Sequence, residues 1–352
     1  MGEFDDPRAT YADLTAVRAG LALWVFLYHT NLHLHFAGLD GGIGRGYLGV
    51  DGFFILSGLV LAHRHPRPAL ERRALARFWW RRLVRLYPTA LAMLLLLGAA
   101  YLLARAGIHP HQALRADGRE FVLQLLLLNG LGFSRGWTWN YPSWSISTEW
   151  VGYLLFPLLA VGVGRLTPRR AALGAALSGL VLLAVTLGSP VGLNLSYQGA
   201  LPRFLPEFFS GICLARMLRG GLVLPPGRAA ALGVLLTVAG LWARGHVMAG
   251  DALVAFGLWF LLWALAAARR PVLARIPGLL PLGRLSYPFY MAYAPVEVLL
   301  ARLWRRRGFE PTGAPLLWLL LFFLGDLALA WVTARLIERP ALRHLAGRRL
   351  DG

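Results

Sequence analysis

The sequence predicts an all-α membrane protein, a polytopic helical bundle of about ten transmembrane helices with one short re-entrant or interfacial helix. Two observations lead to this prediction. Hydrophobic residues make up 57% of the 352 residues and charged residues only 15%. Apolar runs recur along the whole chain, and most approach the roughly 20 residues that a helix needs to cross a bilayer.

The predicted spans follow these apolar runs in order. They cover residues 13–36, 46–63, 86–103, 144–163, 171–187, 201–218, 229–242, 252–268, 282–303 and 316–337. A further apolar segment, 121–133, is marginal in length. If it crossed, the basic loops at 165–170, 216–228 and 269–275 would fall outside, against the positive-inside rule, so we interpret it as non-spanning.

The net charge of +19 is interpreted through the position of the charges. The basic residues cluster between apolar runs, which is typical of cytoplasmic loops. The positive net charge therefore does not indicate a nucleic-acid partner. The densest cluster lies between the second and third spans. Placing it in the cytoplasm puts both termini there, while the cluster at 305–307 falls outside. The chain contains no lysine and much Ala, Gly and Leu, a usage typical of GC-rich bacteria. We therefore expect a multi-pass protein of the bacterial cytoplasmic membrane.

Domain organisation is predicted to be simple. We find no linker, no internal repeat and no cleavable signal peptide, and expect one membrane-embedded domain over residues 1–352 without an appended soluble domain. The single cysteine, Cys213, excludes an intrachain disulfide. His29 and His33 have the spacing of a metal pair but no evident third ligand, so no metal is predicted.

Ionisable residues in the first two spans form the first candidate site. Arg18 and His29 are eleven residues apart, roughly 16 Å along a helix and on one face, and Asp51 follows in the second span. Such groups persist in membranes mainly where they face a protein interior. An arginine at the mouth with a base deeper inside suits an anionic cosubstrate. The alternative is a snorkelling arginine and a histidine in a helix–helix hydrogen bond.

Two further groups carry candidate chemistry. Arg82 and Arg85, next to Arg81, share a helical face where they could hold phosphates, or they are simply a positive flank at the membrane surface. Glu149 lies inside an apolar span, where it could orient a histidine or a substrate hydroxyl, or pair with an arginine. Tyr287, Tyr290, Tyr293 and Glu297 share one face of a later helix, and packing is favoured for the first two.

Taken together, several motifs resemble the acyltransferase 3 family of bacterial integral-membrane O-acyltransferases, over nearly the whole chain. Any one of these motifs is weak evidence, but their order and intervals are specific. The motifs are the pair Arg18 and His29, G-Y-L-G-V-D-G-F-F-I-L-S-G at 46–58, R-R-L-V-R-L-Y-P at 81–88, W-S-I-S-T-E at 144–149, L-S-Y-P-F-Y at 285–290 and I-E-R-P at 337–340.

The resemblance implies transfer of an acyl group from cytoplasmic acyl-CoA, with acetyl-CoA as the expected donor. The acceptor is a hydroxyl of a glycan, a lipid-linked sugar or a small natural product. By position, it implies that His29 is the catalytic histidine and Arg18 its partner, and that Arg82 and Arg85 lie near donor entry. Asp51 and Glu149 match further polar positions. Many relatives carry a histidine where this chain has Tyr293, and a second glutamate where it has Trp150.

We accordingly expect His29, Arg18, Glu149 and Asp51 to act in catalysis. Arg81, Arg82, Arg85 and Arg18 are expected to bind acyl-CoA, and Tyr293, Trp144 and Ser147 to contact the acceptor. Glu149 or Asp51 would fix the imidazole tautomer. Two rival hypotheses stay open: a secondary transporter or flippase that uses the same ionisable set, and a sensory or lipid-binding membrane protein without turnover.

Overall fold

The computed structural model describes residues 7–34, 42–105, 117–243, 245–268, 270–306 and 311–345, and within these ranges it contains helices and turns but no strand. This confirms the all-helical class. The helices are α1 Pro7–Leu34, α2 Gly49–Arg64, α3 Arg72–Arg105, α4 Gly118–Leu125, α5 Trp144–Gly164, α6 Pro168–Leu187, α7 Ala200–Arg219, α8 Pro226–Trp242, α9 Val247–Ala267, α10 Leu279–Arg306, α11 Pro315–Thr333 and α12 Arg339–Leu345.

Short helical turns join these helices. 3₁₀ turns lie at Ile43–Leu48, Tyr141–Ser143, Leu273–Arg275 and Pro311–Gly313, and a π-helical turn at Ala334–Glu338 connects α11 to α12. The turn at Ile43–Leu48 leads directly into α2, and the one at Tyr141–Ser143 into α5.

The described residues of each of the ten predicted apolar runs fall on a helix, and within the described ranges six helical segments are long and apolar enough to cross a membrane. Among the others, α1, α7 and α10 carry charged residues within the helix and α8 has only 17 residues. The protein is therefore a multi-pass membrane protein, and the count of ten crossings stays a prediction. The chain ends and Arg307 lie outside the described residues, so the placement of the termini and of the cluster at 305–307 also stays a prediction.

The segment predicted not to span is a short helix followed by irregular chain. Helix α4 has eight residues, about 12 Å, less than half the hydrocarbon thickness. Its side chains fasten the loop that follows: buried Glu120 accepts a hydrogen bond from Arg135 N at 2.9 Å, and Gln124 Nε2 donates to Thr138 O at 2.7 Å. These bonds hold the start of α5 in place.

Glycines allow the central helices to approach closely. A Cβ at Gly58 of α2 would collide with the carbonyl oxygen of Phe208 in α7, and one at Gly211 of α7 would collide with that of Ile55. Gly283 of α10 lies in the same way against the carbonyl of Thr15 in α1. Helices in membranes pack through such small residues because no hydrophobic force brings them together. The contact at Gly283 sets the distance between α1 and α10.

A buried ion pair joins α2 to α7. Arg203 Nε and Nη2 donate to the two oxygens of Asp51 at 2.9 and 2.5 Å, and both residues are at most 1% exposed. The remaining donors of Arg203 bond to the carbonyls of Leu195 at 2.8 Å and Tyr47 at 3.0 Å. Asp51 is therefore engaged on both oxygens by an arginine of another helix.

Substitution of this arginine alone should destabilise the bundle strongly. We expect Arg203→Met to lower the free energy of unfolding by about 3–5 kcal/mol, because it leaves Asp51 as an uncompensated buried charge. The double variant Asp51→Leu/Arg203→Met should recover most of that loss. Reversible denaturation in detergent micelles measures both, with Arg77→Met on the exposed face of α3 as the control. A double variant no more stable than Arg203→Met would contradict this account.

Candidate active site

A cavity lined by arginines lies between α1, α2, α3, α5 and α10, with α12 at its edge. Its volume is about 430 Å³. Among the described residues, six arginines but only one carboxylate, that of Glu149, line its wall. A cleft lined by charges of one sign concentrates ions of the opposite sign, so this positively charged cavity suits an anionic ligand. The arginines of this arginine cavity are Arg18, Arg64, Arg81, Arg82, Arg85 and Arg284.

The arginines of α3 present their charge to the cavity in two ways. The Arg82 guanidinium carbon lies 5.5 Å from the ring centre of Phe78 and 5.9 Å from that of Tyr153, and its buried Nε has no hydrogen-bond partner among the described residues. Arg85 pairs with Glu338 of the π-helical turn. A buried guanidinium N–H without an acceptor is rare in proteins, and here it adjoins the cavity.

Arg18 reaches the same cavity from α1. Its Nε donates to Ser286 Oγ of α10 at 3.0 Å, and its guanidinium carbon lies 5.9 Å from the ring centre of Phe53 in α2. The hydrogen bond to α10 holds the arginine at the cavity wall, and its place at the mouth of a binding site stays a prediction.

Glu149 belongs to the arginine cavity and not to the surroundings of His29. Its Oε1 accepts hydrogen bonds from Ser57 Oγ at 2.9 Å and from the Tyr153 hydroxyl at 2.6 Å. The carboxylate thereby joins α2 to α5 on the cavity wall, facing the arginines.

His29 lies further along α1 in a tight aromatic pocket. It is 9% exposed, and its ring centre lies 4.5 Å from that of Tyr293, 5.1 Å from Tyr28 and 5.6 Å from Tyr141. Its Nδ1 is buried without a hydrogen-bond partner in the part of the chain that the structure describes. The expected bond from Glu149 or Asp51 to this nitrogen is therefore absent, because other helices engage both carboxylates.

A space of about 10 Å³, the His29 pocket, adjoins the imidazole. The same elements line the arginine cavity and this pocket. Helix α1 supplies Arg18 to the cavity and His29 to the pocket. Glu149 of α5 lines the cavity, and Pro142, in the turn before α5, lines the pocket. Tyr290 of α10 lines both spaces. The arginine cavity, Tyr290 and the His29 pocket thus follow one another along α1 and α10, and we call this succession the column.

A second polar group lies beyond His29 on this column. Glu297 of α10 pairs through Oε1 with His33 Nε2 at 2.6 Å and accepts from the Tyr141 hydroxyl through Oε2 at 2.8 Å. Trp137 stacks on Tyr141, with ring centres 5.3 Å apart and planes at 14°. The side chains of His33 and Glu297 are 30% and 18% exposed, so this end is accessible.

Two predicted acceptor contacts lie elsewhere. Trp144 is buried, with its ring 6.1 Å from that of Phe54 and the Arg203 guanidinium 5.5 Å from its centre. Ser147 Oγ donates to Asn129 Oδ1 at 2.6 Å and is fully buried. Neither residue lines the arginine cavity or the His29 pocket, because Trp144 packs against α2 and α7 and Ser147 bonds to the loop after α4. Tyr293 does lie beside His29.

Several residues of the site were not expected from the sequence. Arg64 and Arg284 line the arginine cavity together with Ser57 and Tyr153, and Glu338 pairs with Arg85. A signal existed for four of them: Ser57 lies in the motif at 46–58, Arg64 is the first arginine of the densest basic segment, and Arg284 and Glu338 lie in or next to the motifs at 285–290 and 337–340. Which of many flanking arginines turns inward depends on helix packing.

A larger apolar cavity of about 670 Å³ lies between α6, α7 and α9. Glu207 is the one charged residue among those that line it, and no arginine does. It therefore lacks the cations that an anionic donor requires, and the arginine cavity is the better candidate site.

Comparisons with known proteins show the family of this chain. A family model described as "Acyltransferase domain" (Acyl_transf_3) matches residues 11–335. A curated relative, "Acyltransferase MdmB" from Streptomyces mycarofaciens, is 30% identical over 387 aligned positions, which cover 96% of this chain and 92% of the relative. The search of solved structures found no significant match. The match over most of its length shows that this chain belongs to the acyltransferase 3 family and is an acyl-transferring membrane enzyme.

Proposed function

We propose that this protein is an O-acyltransferase of the bacterial cytoplasmic membrane, with both termini in the cytoplasm. It moves an acyl group, in the first place acetyl, from acyl-CoA to a hydroxyl of a glycan, a lipid-linked sugar or a small natural product. The observation that carries the proposal is the column that leads from a cavity with six arginines to a single buried histidine.

The donor binds with its phosphates in the arginine cavity. Coenzyme A is strongly anionic, and the planar fork of arginine pairs with phosphate oxygens through two parallel hydrogen bonds. Arg82, whose Nε has no acceptor among the described residues, is the first phosphate ligand, with Arg81, Arg85 and Arg18 around it. The thioester then points along the column toward His29.

His29 acts as the general base. Its neutral imidazole takes the proton of the acceptor hydroxyl while that oxygen attacks the thioester carbonyl carbon. The carbon–sulfur bond breaks, the imidazolium returns the proton to the thiolate, and the products are the ester and CoA. Positioned base catalysis contributes roughly 10²–10⁴-fold, and histidine is the side chain that most often supplies it.

The acceptor approaches His29 from the opposite end of the column, because the donor fills the arginine side. The His33–Glu297 pair and the Tyr141 hydroxyl offer hydrogen-bonding groups there. Tyr293 lies against the imidazole at the point where donor and acceptor would meet.

Removal of the imidazole should lower the rate of transfer strongly and spare donor binding. We expect His29→Ala to lower kcat/KM by about 10²–10⁴-fold, because the general base is lost. The measurement is CoA release by purified protein from acetyl-CoA with a panel of hydroxyl acceptors, and binding of CoA serves as the fold control. His344→Ala, an exposed histidine of α12, should behave as wild type.

Two other results of that experiment would change the proposal. Turnover in His29→Ala at or near the wild-type rate would remove His29 as the base. A rapid first release of CoA without acceptor, at one equivalent per protein, would indicate that the acyl group passes through His29 as an acyl-histidine.

Removal of a phosphate ligand should act on donor binding. We expect Arg82→Gln to weaken CoA binding by about 10- to 100-fold, since a hydrogen bond to a charged group contributes about 1.5–3 kcal/mol. Titration calorimetry of CoA and of its 3′-dephospho form measures the loss, with Arg77→Gln on the same helix as the matched control. If well-folded wild-type protein bound no CoA, the donor assignment would fail and the transporter hypothesis would lead.

A further inference from the structure

We propose that Tyr290 is the residue that limits the transferred acyl group to acetyl, by closing the column between the arginine cavity and His29. This inference rests on the proposed function and adds a determinant of donor specificity to it. Its starting point is that Tyr290 is the one residue shared by the two linings.

Hydrogen bonds from two directions hold Tyr290 in this position. Its hydroxyl donates to the carbonyl of Pro142 at 3.0 Å and accepts from Ser145 Oγ at 3.1 Å. Both partners lie at the start of α5, whereas Tyr290 belongs to α10. The ring therefore spans the gap between the two helices, across the path from the arginines to His29.

The space beyond Tyr290 admits one small group. The His29 pocket has a volume of about 10 Å³, which is the lower limit of the space that holds one group of the size of a water molecule. With the carbonyl carbon beside the imidazole, the methyl of an acetyl group fills this pocket. A longer chain must displace the Tyr290 ring or the opposite wall.

The opposite wall is rigid. Phe26 and Phe289 line the pocket, are 3% and 2% exposed, and have ring centres 5.6 Å apart. Phe322 of α11 lies behind them, 5.3 Å from Phe26 and 4.8 Å from Tyr293. Such a close-packed aromatic cluster yields little to added methylenes. Tyr290 borders the open arginine cavity on its other side, so a smaller side chain at this position would enlarge the His29 pocket.

The experiment compares acetyl-, butyryl- and hexanoyl-CoA as donors for wild type and for Tyr290→Phe, Tyr290→Leu and Tyr290→Ala. The quantity is the ratio of kcat/KM for acetyl-CoA to that for hexanoyl-CoA, an internal ratio that a general loss of activity leaves unchanged. Binding of non-hydrolysable thioether analogues of the same chain lengths gives a second readout without turnover. Tyr287→Leu, one turn closer to the arginines and lining only the arginine cavity, is the matched control.

We expect wild type to prefer acetyl-CoA over hexanoyl-CoA by about 100-fold or more, since one added methylene in a fitted pocket costs about tenfold or more. Tyr290→Leu and Tyr290→Ala should lower this ratio by about tenfold or more. Tyr290→Phe, which keeps the ring and loses only the hydroxyl, and Tyr287→Leu should keep the wild-type ratio.

Three results would overturn the inference and leave acetyl transfer in place. The first is a wild type that uses hexanoyl-CoA as efficiently as acetyl-CoA. The others are a kcat/KM ratio of Tyr290→Ala equal to that of wild type, and a ratio of Tyr290→Phe lowered as much as that of Tyr290→Ala. If Tyr290→Ala does not fold, Tyr290→Leu decides. A wild type that consumes no acyl-CoA of any length would remove the proposed function itself, and this inference with it.

Discussion

The cost of placing ionisable groups inside a membrane bundle is the constraint on which the rest of this structure depends. A charge in this environment must be paired or must face water. Asp51 and Arg203 satisfy this requirement by pairing with each other, and both side chains are buried. Arg18 and Arg82 satisfy it in the second way, because both side chains face the arginine cavity. The distinction separates charges that hold the bundle together from those that are available to a ligand.

The column of the site exists because two helices run close together. Gly283 lets α10 contact the backbone of α1. Residues of both helices therefore line the arginine cavity and, further along, the His29 pocket. The start of α5 supplies the third side, and the loop after α4 fixes its position through Glu120 and Gln124. The short helix that does not cross the membrane is thus part of the support of the active site.

The column also explains how one histidine could serve two substrates of different chemistry. Its arginine end is suited to phosphates, its far end offers a carboxylate–histidine pair beside stacked aromatic rings, and His29 lies between them in a tight aromatic pocket. A pocket that excludes water protects a thioester from hydrolysis and strengthens the polar interactions that form in it. In our proposal, the same tightness restricts the size of the group that is transferred.

The sequence by itself determined the helical membrane class, the family, and the residues Arg18, His29, Arg81, Arg82 and Arg85 as candidates. Hydrophobic run length and the cost of intramembrane charge are local properties, and they can be read without the fold. Tyr293 was also found in this way, from its place on a polar helical face.

Only the tertiary structure decided which partner each of these groups has. Asp51 and Glu149 are both carboxylates in apolar helices, yet one pairs with Arg203 and the other faces the arginine cavity. Trp144 and Ser147 lie in a motif, but Trp144 packs against another helix and Ser147 bonds to the loop after α4. Tyr290, interpreted as packing, separates the two spaces of the site. A helix has the same sequence periodicity whichever neighbour it contacts, so these assignments depend on helix rotation and crossing, which close glycine contacts fix only in the assembled bundle.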